Sequence, residues 1–187
     1  EKHPAKIRNT ADKAKLISGN DEAGFTYRGR FTSKEQAVSV GYDTSQKAHN
    51  ALRWLIANQG VSFGGRTFLC WNPQGIQPPP VTGFMNRGSA RQRAASPTQY
   101  RKQLKEALSG WKERLSNISA KSGVVIAAFD AATTGRLAVA YYNELRASDY
   151  LDRLYHWENT CCWEGRSRDD GWCPSLYSLV NWSFGTL

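Results

Sequence analysis

The chemistry open to this chain begins with its carboxylates. Asp130 ends one apolar run and Glu144 follows another. If those runs pair as antiparallel strands, the two side chains could approach and hold a divalent metal for phosphodiester hydrolysis. Asp is also common at turns for local hydrogen bonding, and no lysine stands at a fixed short spacing from Glu144. A metal-dependent nuclease using Asp130 and Glu144 is therefore the alternative reading and not the leading one. Glu158 falls inside an apolar helical arc and needs a partner there, such as Arg136. His156, Cys161, Cys162 and Cys173 are zinc-ligand types, but adjacent cysteines point about 100° apart on a helix and no C-x-x-C occurs. A nucleophilic cysteine with His49 or His156 lacks a third member, and there is no Walker loop and no G-x-G-x-x-G. No catalytic residue, metal site or cofactor is expected.

Cationic and aromatic side chains form the stronger pattern. Arg28 and Arg30 flank Gly29, and Arg66 opens an apolar strand. Lys47, His49, Asn50 and Arg53 fall on the side of a helix away from its apolar stripe, and Arg87, Arg91 and Arg93 lie in a Pro/Gly-rich loop. Such residues can track a phosphate backbone, with Tyr27 or Trp54 available for stacking. Trp54 stands opposite the apolar stripe and has to be covered, which suits a protein partner. The charge distribution agrees: of a net +9 over 187 residues, residues 1–60 carry +4, residues 61–121 carry +8 and residues 122–187 carry −3. Lys and Arg that neutralise phosphates release counterions and gain affinity irrespective of base sequence. The acidic last third suits protein neighbours.

The elements that position these groups can be read from periodicity. Asp43-Thr44-Ser45-Gln46 reads as a capped helix start, and Ala48, Ala51, Leu52, Leu55 and Ile56 make the apolar stripe of a helix over 44–59 that Gly60 closes. Ser96-Pro97-Thr98-Gln99 is a second cap, ahead of an amphipathic helix over 97–118 whose Arg101, Lys102, Lys105, Lys112 and Arg114 lie largely off the stripe. A third helix spans 148–163. Strands are expected at 25–31, 66–71, 123–129 and 136–142, the last two as a hairpin, with 123–129 buried on both faces. Pro78-Pro79-Pro80 reads as a stiff extended spacer inside a flexible loop over 74–95.

Together these give a mixed α/β (α+β) fold, a small largely antiparallel sheet covered by three or more amphipathic helices. Residues 25–187 form a single domain after a polar lead-in or linker over 1–24. A mean hydropathy of −0.58 and the absence of an apolar run near the ~18 residues of a spanning helix exclude a transmembrane segment. The four cysteines, two of them adjacent, match no disulfide framework, so reduced thiols and a cytoplasmic setting are expected. A chain that opens on Glu1 reads as a piece of a longer protein.

Several strings resemble one family. They are Phe25-Thr26-Tyr27-Arg28-Gly29-Arg30-Phe31, Ser45-Gln46-Lys47-Ala48-His49-Asn50-Ala51-Leu52-Arg53-Trp54 and Trp71-Asn72-Pro73, then Gly135-Arg136-Leu137-Ala138-Val139-Ala140-Tyr141-Tyr142-Asn143-Glu144-Leu145, Cys161-Cys162-Trp163, Pro174-Ser175-Leu176 and Phe184-Gly185-Thr186. In that order they resemble the large subunit of the subtype I-C CRISPR surveillance complex, Cascade. The resemblance implies a non-catalytic part in RNA-guided antiviral defence. Its partners would be target DNA and guide RNA within the complex, the other Cascade subunits, and a helicase-nuclease recruited through the parent protein. The parent would also assist recognition of the protospacer-adjacent motif and hold R-loop strands, while guide pairing supplies most of the specificity. Members of that family are much longer, so the resemblance implies an internal fragment.

Overall fold

The computed structural model describes residues 6–8, 13–16, 30–37, 39–82, 96–116, 123–133, 136–161, 163–164, 171–172, 174, 178–179 and 182–183. In chain order the elements are α1 (Lys34–Ala37), α2 (Tyr42–Gln59), β1 (Val61–Phe63), β2 (Arg66–Trp71), α3 (Pro97–Ser116), β3 (Gly123–Thr133), β4 (Arg136–Arg146), α4 (Ala147–Thr160), β5 (Trp163–Glu164) and β6 (Gly171–Trp172). The first four strands form one antiparallel sheet in the order β1-β2-β3-β4, and β5 pairs with β6 as a separate antiparallel ribbon. Three long helices and this sheet make the mixed α/β fold expected from periodicity.

Local chemistry explains most of these boundaries. The Ser96 hydroxyl accepts the Gln99 amide at 3.2 Å, so α3 begins at the cap read from sequence. β3 is a continuous apolar run because both its faces are covered: Val124, Val125, Ala127, Ala128 and Phe129 are all buried. β1 is an addition to the expected strands. It is turned into β2 by Gly64 and Gly65, whose φ angles of 57° and 73° both lie in the left-handed region, as a two-residue hairpin turn of the primed type requires. α2 starts earlier than its expected Asp43-Thr44-Ser45-Gln46 signal, with Gly41 at the N-cap and no side-chain cap bond.

The chain divides into two compact units, Glu1–Thr67 with Ala128–Ala140 and Phe68–Ala127 with Tyr141–Leu187, so the boundary crosses β2, β3 and β4. In the first, the polar lead-in is partly built into the fold. Ile7 and Ala14 are buried, the Lys15 carbonyl accepts the Leu137 amide at 3.0 Å, and the Arg8 guanidinium donates to the Gly65 carbonyl at 2.7 Å. In the second, Cys70, Leu115, Val124, Tyr150 and Leu151 form the core, with Leu108, Trp111, Ile126 and Leu154 packed against it. α3 and α4 pack on one another there. Pro78 and Pro79 are fully buried, and the Pro79 carbonyl accepts the Tyr150 hydroxyl at 2.7 Å inside this core. Residues 25–29 of the expected strand and most of the 74–95 loop lie outside the described residues, and Arg30 and Phe31 at the strand's expected end are not in a strand.

Candidate nucleic-acid interface

On α2 the helical repeat divides the candidates. Ser45, His49 and Ile56 are buried and Leu52 is half-buried, so the inward line runs 45, 49, 52, 56, while Ala48 and Ala51 of the expected stripe are exposed. The placement of His49 on the open side is thereby corrected. It is 1% exposed, and its Nδ1 lies 2.6 Å from the Ser45 carbonyl, which can only accept, so Nδ1 carries the proton. The imidazole thus meets a polar group of its own helix through one of its two ring nitrogens. At about 100° per residue Lys47, Asn50 and Trp54 share the outward face, with Arg53 on its flank. All four are exposed, Trp54 at 61%. Asp43 stands on the same face at the start of the helix.

The other candidates have separate surroundings. Arg30 is exposed, and its guanidinium lies over the Phe31 ring at 5.3 Å. Arg66 keeps 58% of its side chain exposed but pairs with Asp130 at 3.0 Å. That pair binds one of the two carboxylates offered for a metal site. The other, Glu144, accepts a hydrogen bond from Tyr142 and raises that exposed phenol above its ordinary pKa. Among the described residues no group of three or more His, Cys, Asp or Glu side chains could hold a metal ion. Arg28, Arg87, Arg91 and Arg93 lie outside the described residues.

A second basic face belongs to α3. Tyr100, Leu104 and Leu115 are buried, while Arg101, Lys105 and Lys112 are exposed along one flank and Lys102 on the far side, where Glu106 and Glu113 are also exposed. Lys112 pairs with Asp152 at 2.9 Å, and Arg114 lies over the Trp111 ring at 4.8 Å. This face is absent from the candidates named on sequence grounds, although the five cations off the apolar stripe were its signal.

Buried polar groups of the second unit serve the fold. The Tyr100 hydroxyl donates to Glu158 Oε2 at 2.7 Å, which supplies a partner the apolar arc demanded. The Tyr150 hydroxyl donates to the Pro79 carbonyl at 2.7 Å, and the Cys70 thiol donates to the same carbonyl at 3.3 Å. Burial pushes the Cys70 thiol above its ordinary 9.0, against its hydrogen bonds, and burial with the adjacent Cys70 pushes the Tyr150 phenol above 10.0. Both therefore stay protonated in the folded state at a pH where the unfolded chain ionises them. The unfolded state then binds fewer protons, so stability is whole below about pH 9 and is lost as pH rises toward the raised folded values. The urea midpoint is expected to decline from about pH 9 upward, and the decline should be smaller in a Cys70→Ala/Tyr150→Phe variant. An equal alkaline slope in that variant would assign the effect to other groups.

A family model described as CRISPR-associated protein (Cas_Csd1) matches residues 1–184. No curated protein matches the sequence.

Proposed function

Because the chain belongs to the CRISPR-associated Csd1 family, we propose that it is a non-catalytic, nucleic-acid-contacting segment of the large subunit of a type I-C Cascade complex. Family membership supports work within a CRISPR complex. The observation that carries the finer reading is the set of exposed cations on two helices, Lys47 and Arg53 on α2 and Arg101, Lys102 and Lys105 on α3, in a chain whose residues 61–121 hold +8. Fields of this sign bind phosphate backbones with little regard to sequence, as a guide-directed assembly requires of its protein parts. In this reading Arg28, Arg30, Arg66, Arg87, Arg91 and Arg93 extend the contact to target DNA and R-loop strands, and His49 positions α2 from within. Trp54 meets a neighbouring subunit. Help with the protospacer-adjacent motif and recruitment of a helicase-nuclease belong to the parent protein. The setting is cytoplasmic; no helix among the described residues is long and apolar enough to cross a membrane.

Replacing Arg87, Arg91 and Arg93 together with Ala is expected to weaken DNA binding about uniformly across sequences and to flatten the dependence of log affinity on log salt by roughly 2–3, near 0.9 per lost duplex phosphate contact. The measurement is anisotropy titration at four or more salt concentrations. An unchanged slope would remove the loop from the interface. Mn²⁺-dependent cleavage of labelled DNA or RNA that disappears in Asp130→Asn would favour the nuclease instead. No salt-dependent retention on heparin would leave a protein-interaction module.

A further inference from the structure

Within the second unit, β4, α4 and the segment after the proline run enclose a shallow cavity of about 250 Å³. Its walls include Ile126, Leu145 and Leu154, and two large rings stand at its mouth, Tyr141 at 50% exposure and Trp157 at 37%. The Tyr141 hydroxyl accepts the Asn143 side-chain amide at 3.1 Å, which ties the ring to its own strand and limits its rotation. Arg153 is exposed, and among the described lining residues it alone is of a charged type. Among the described residues no carboxylate pairs with it, since the nearby Asp152 bonds Lys112.

These properties select the occupant. The volume lies below the ~300 Å³ at which pockets for drug-sized ligands begin, so the cavity fits one small planar ring and not a helix or an extended peptide. Exposed aromatic faces favour stacking, which every nucleobase offers. A guanidinium at the rim that forms no ion pair among the described residues favours an anion beside that ring. A nucleotide combines both, and a neutral apolar side chain of a protein would leave Arg153 without a partner.

We propose that this cavity receives a single unpaired nucleobase, stacked against Trp157 and Tyr141, with Arg153 on the adjoining phosphate. The proposal rests on the reading of the chain as nucleic-acid-binding and adds a subsite for an unpaired base within a single strand. Such a subsite grips a strand without reading its sequence, because stacking tolerates any base.

The test uses the full chain with single-stranded oligonucleotides that carry 2-aminopurine or an abasic residue at successive positions, titrated at several salt concentrations. Wild type should quench 2-aminopurine at one position and bind the abasic strand more weakly. Trp157→Ala should lower affinity about 5- to 100-fold and abolish the quench, with the salt slope intact. Trp157→Phe should restore much of the affinity, and Arg153→Gln should keep the quench while reducing the slope by about 0.7. Tyr141→Ala, on an exposed strand position, gives a second reading if Trp157→Ala fails to fold. Strong salt-dependent binding that ignores Trp157, Tyr141 and the abasic residue would overturn the pocket and leave the nucleic-acid reading standing. No salt-dependent binding at all would overturn both. Loss of binding to other protein subunits in Trp157→Ala, with strand binding and quench intact, would assign the cavity to a protein side chain and overturn the proposal.

Discussion

Replacing Leu151 with Ala is expected to lower the unfolding free energy by about 2–5 kcal/mol, read as a fall in the urea midpoint at constant m-value. Leu151 is 1% exposed on α4 and belongs to the cluster formed with Cys70, Leu115, Val124 and Tyr150. Truncation removes apolar atoms from contact on every side. The hole cannot close easily, because the neighbours come from β2, β3 and α3, whose backbones are held by their own hydrogen-bond ladders. His156→Ala, exposed on the same helix, should change stability by no more than about 0.5 kcal/mol. A Leu151→Ala loss of similar size to that control would mean that α4 is not seated on this core. Because the chain divides into two units, coincident fluorescence and circular-dichroism transitions are needed before either number is read as a two-state free energy.

Tyr100→Phe should destabilise the chain by about 1.5–3 kcal/mol, more than loss of a single oxygen atom would cost at the surface. Its hydroxyl donates to a carboxylate that is 3% exposed, and the hydrogen bond ties α3 to α4 across 58 residues of sequence. Without that donor, Glu158 remains buried with one hydrogen bond fewer, and a buried polar group tolerates such a loss poorly. Glu158→Gln keeps the volume and replaces the carboxyl with a neutral amide, a weaker acceptor, so the penalty for Tyr100→Phe should shrink in that background. A double-mutant cycle should then report a coupling of about 0.5–3 kcal/mol. Additive effects would show that the two groups do not depend on one another.

Both predictions turn on groups that are legible in the sequence to different degrees. Leu151 is legible as one position of an amphipathic arc, and Glu158 as a polar residue out of place in that arc. The identity of a partner is not, because Tyr100 belongs to another helix and only packing brings the two together. α2 shows the same limit at finer scale. The stripes 48-51-52-55-56 and 45-49-52-56 share Leu52 and Ile56 and differ by a rotation of the cylinder of about 60°. Alanine gains little from burial, so Ala48 and Ala51 are weak guides, while His49 goes inside with its Nδ1 against the Ser45 carbonyl. β1 carries a signal that periodicity alone passes over: Val61-Ser62-Phe63 alternates and Gly64-Gly65 is a two-residue hairpin turn.

By itself the order of residues determined the three long helices, the β2 strand, the β3–β4 hairpin, the Ser96 cap and the excess of positive charge in the middle third. Those are local or additive properties: period, capping oxygen, apolar run and charge count all act over a few residues or do not depend on geometry. The tertiary structure alone decided which cations stay exposed, that Arg66 meets Asp130, that the prolines are buried against Tyr150, and that Tyr141, Arg153 and Trp157 surround one cavity. Each of these depends on where a distant segment packs, and side-chain spacing along the chain carries no record of that distance.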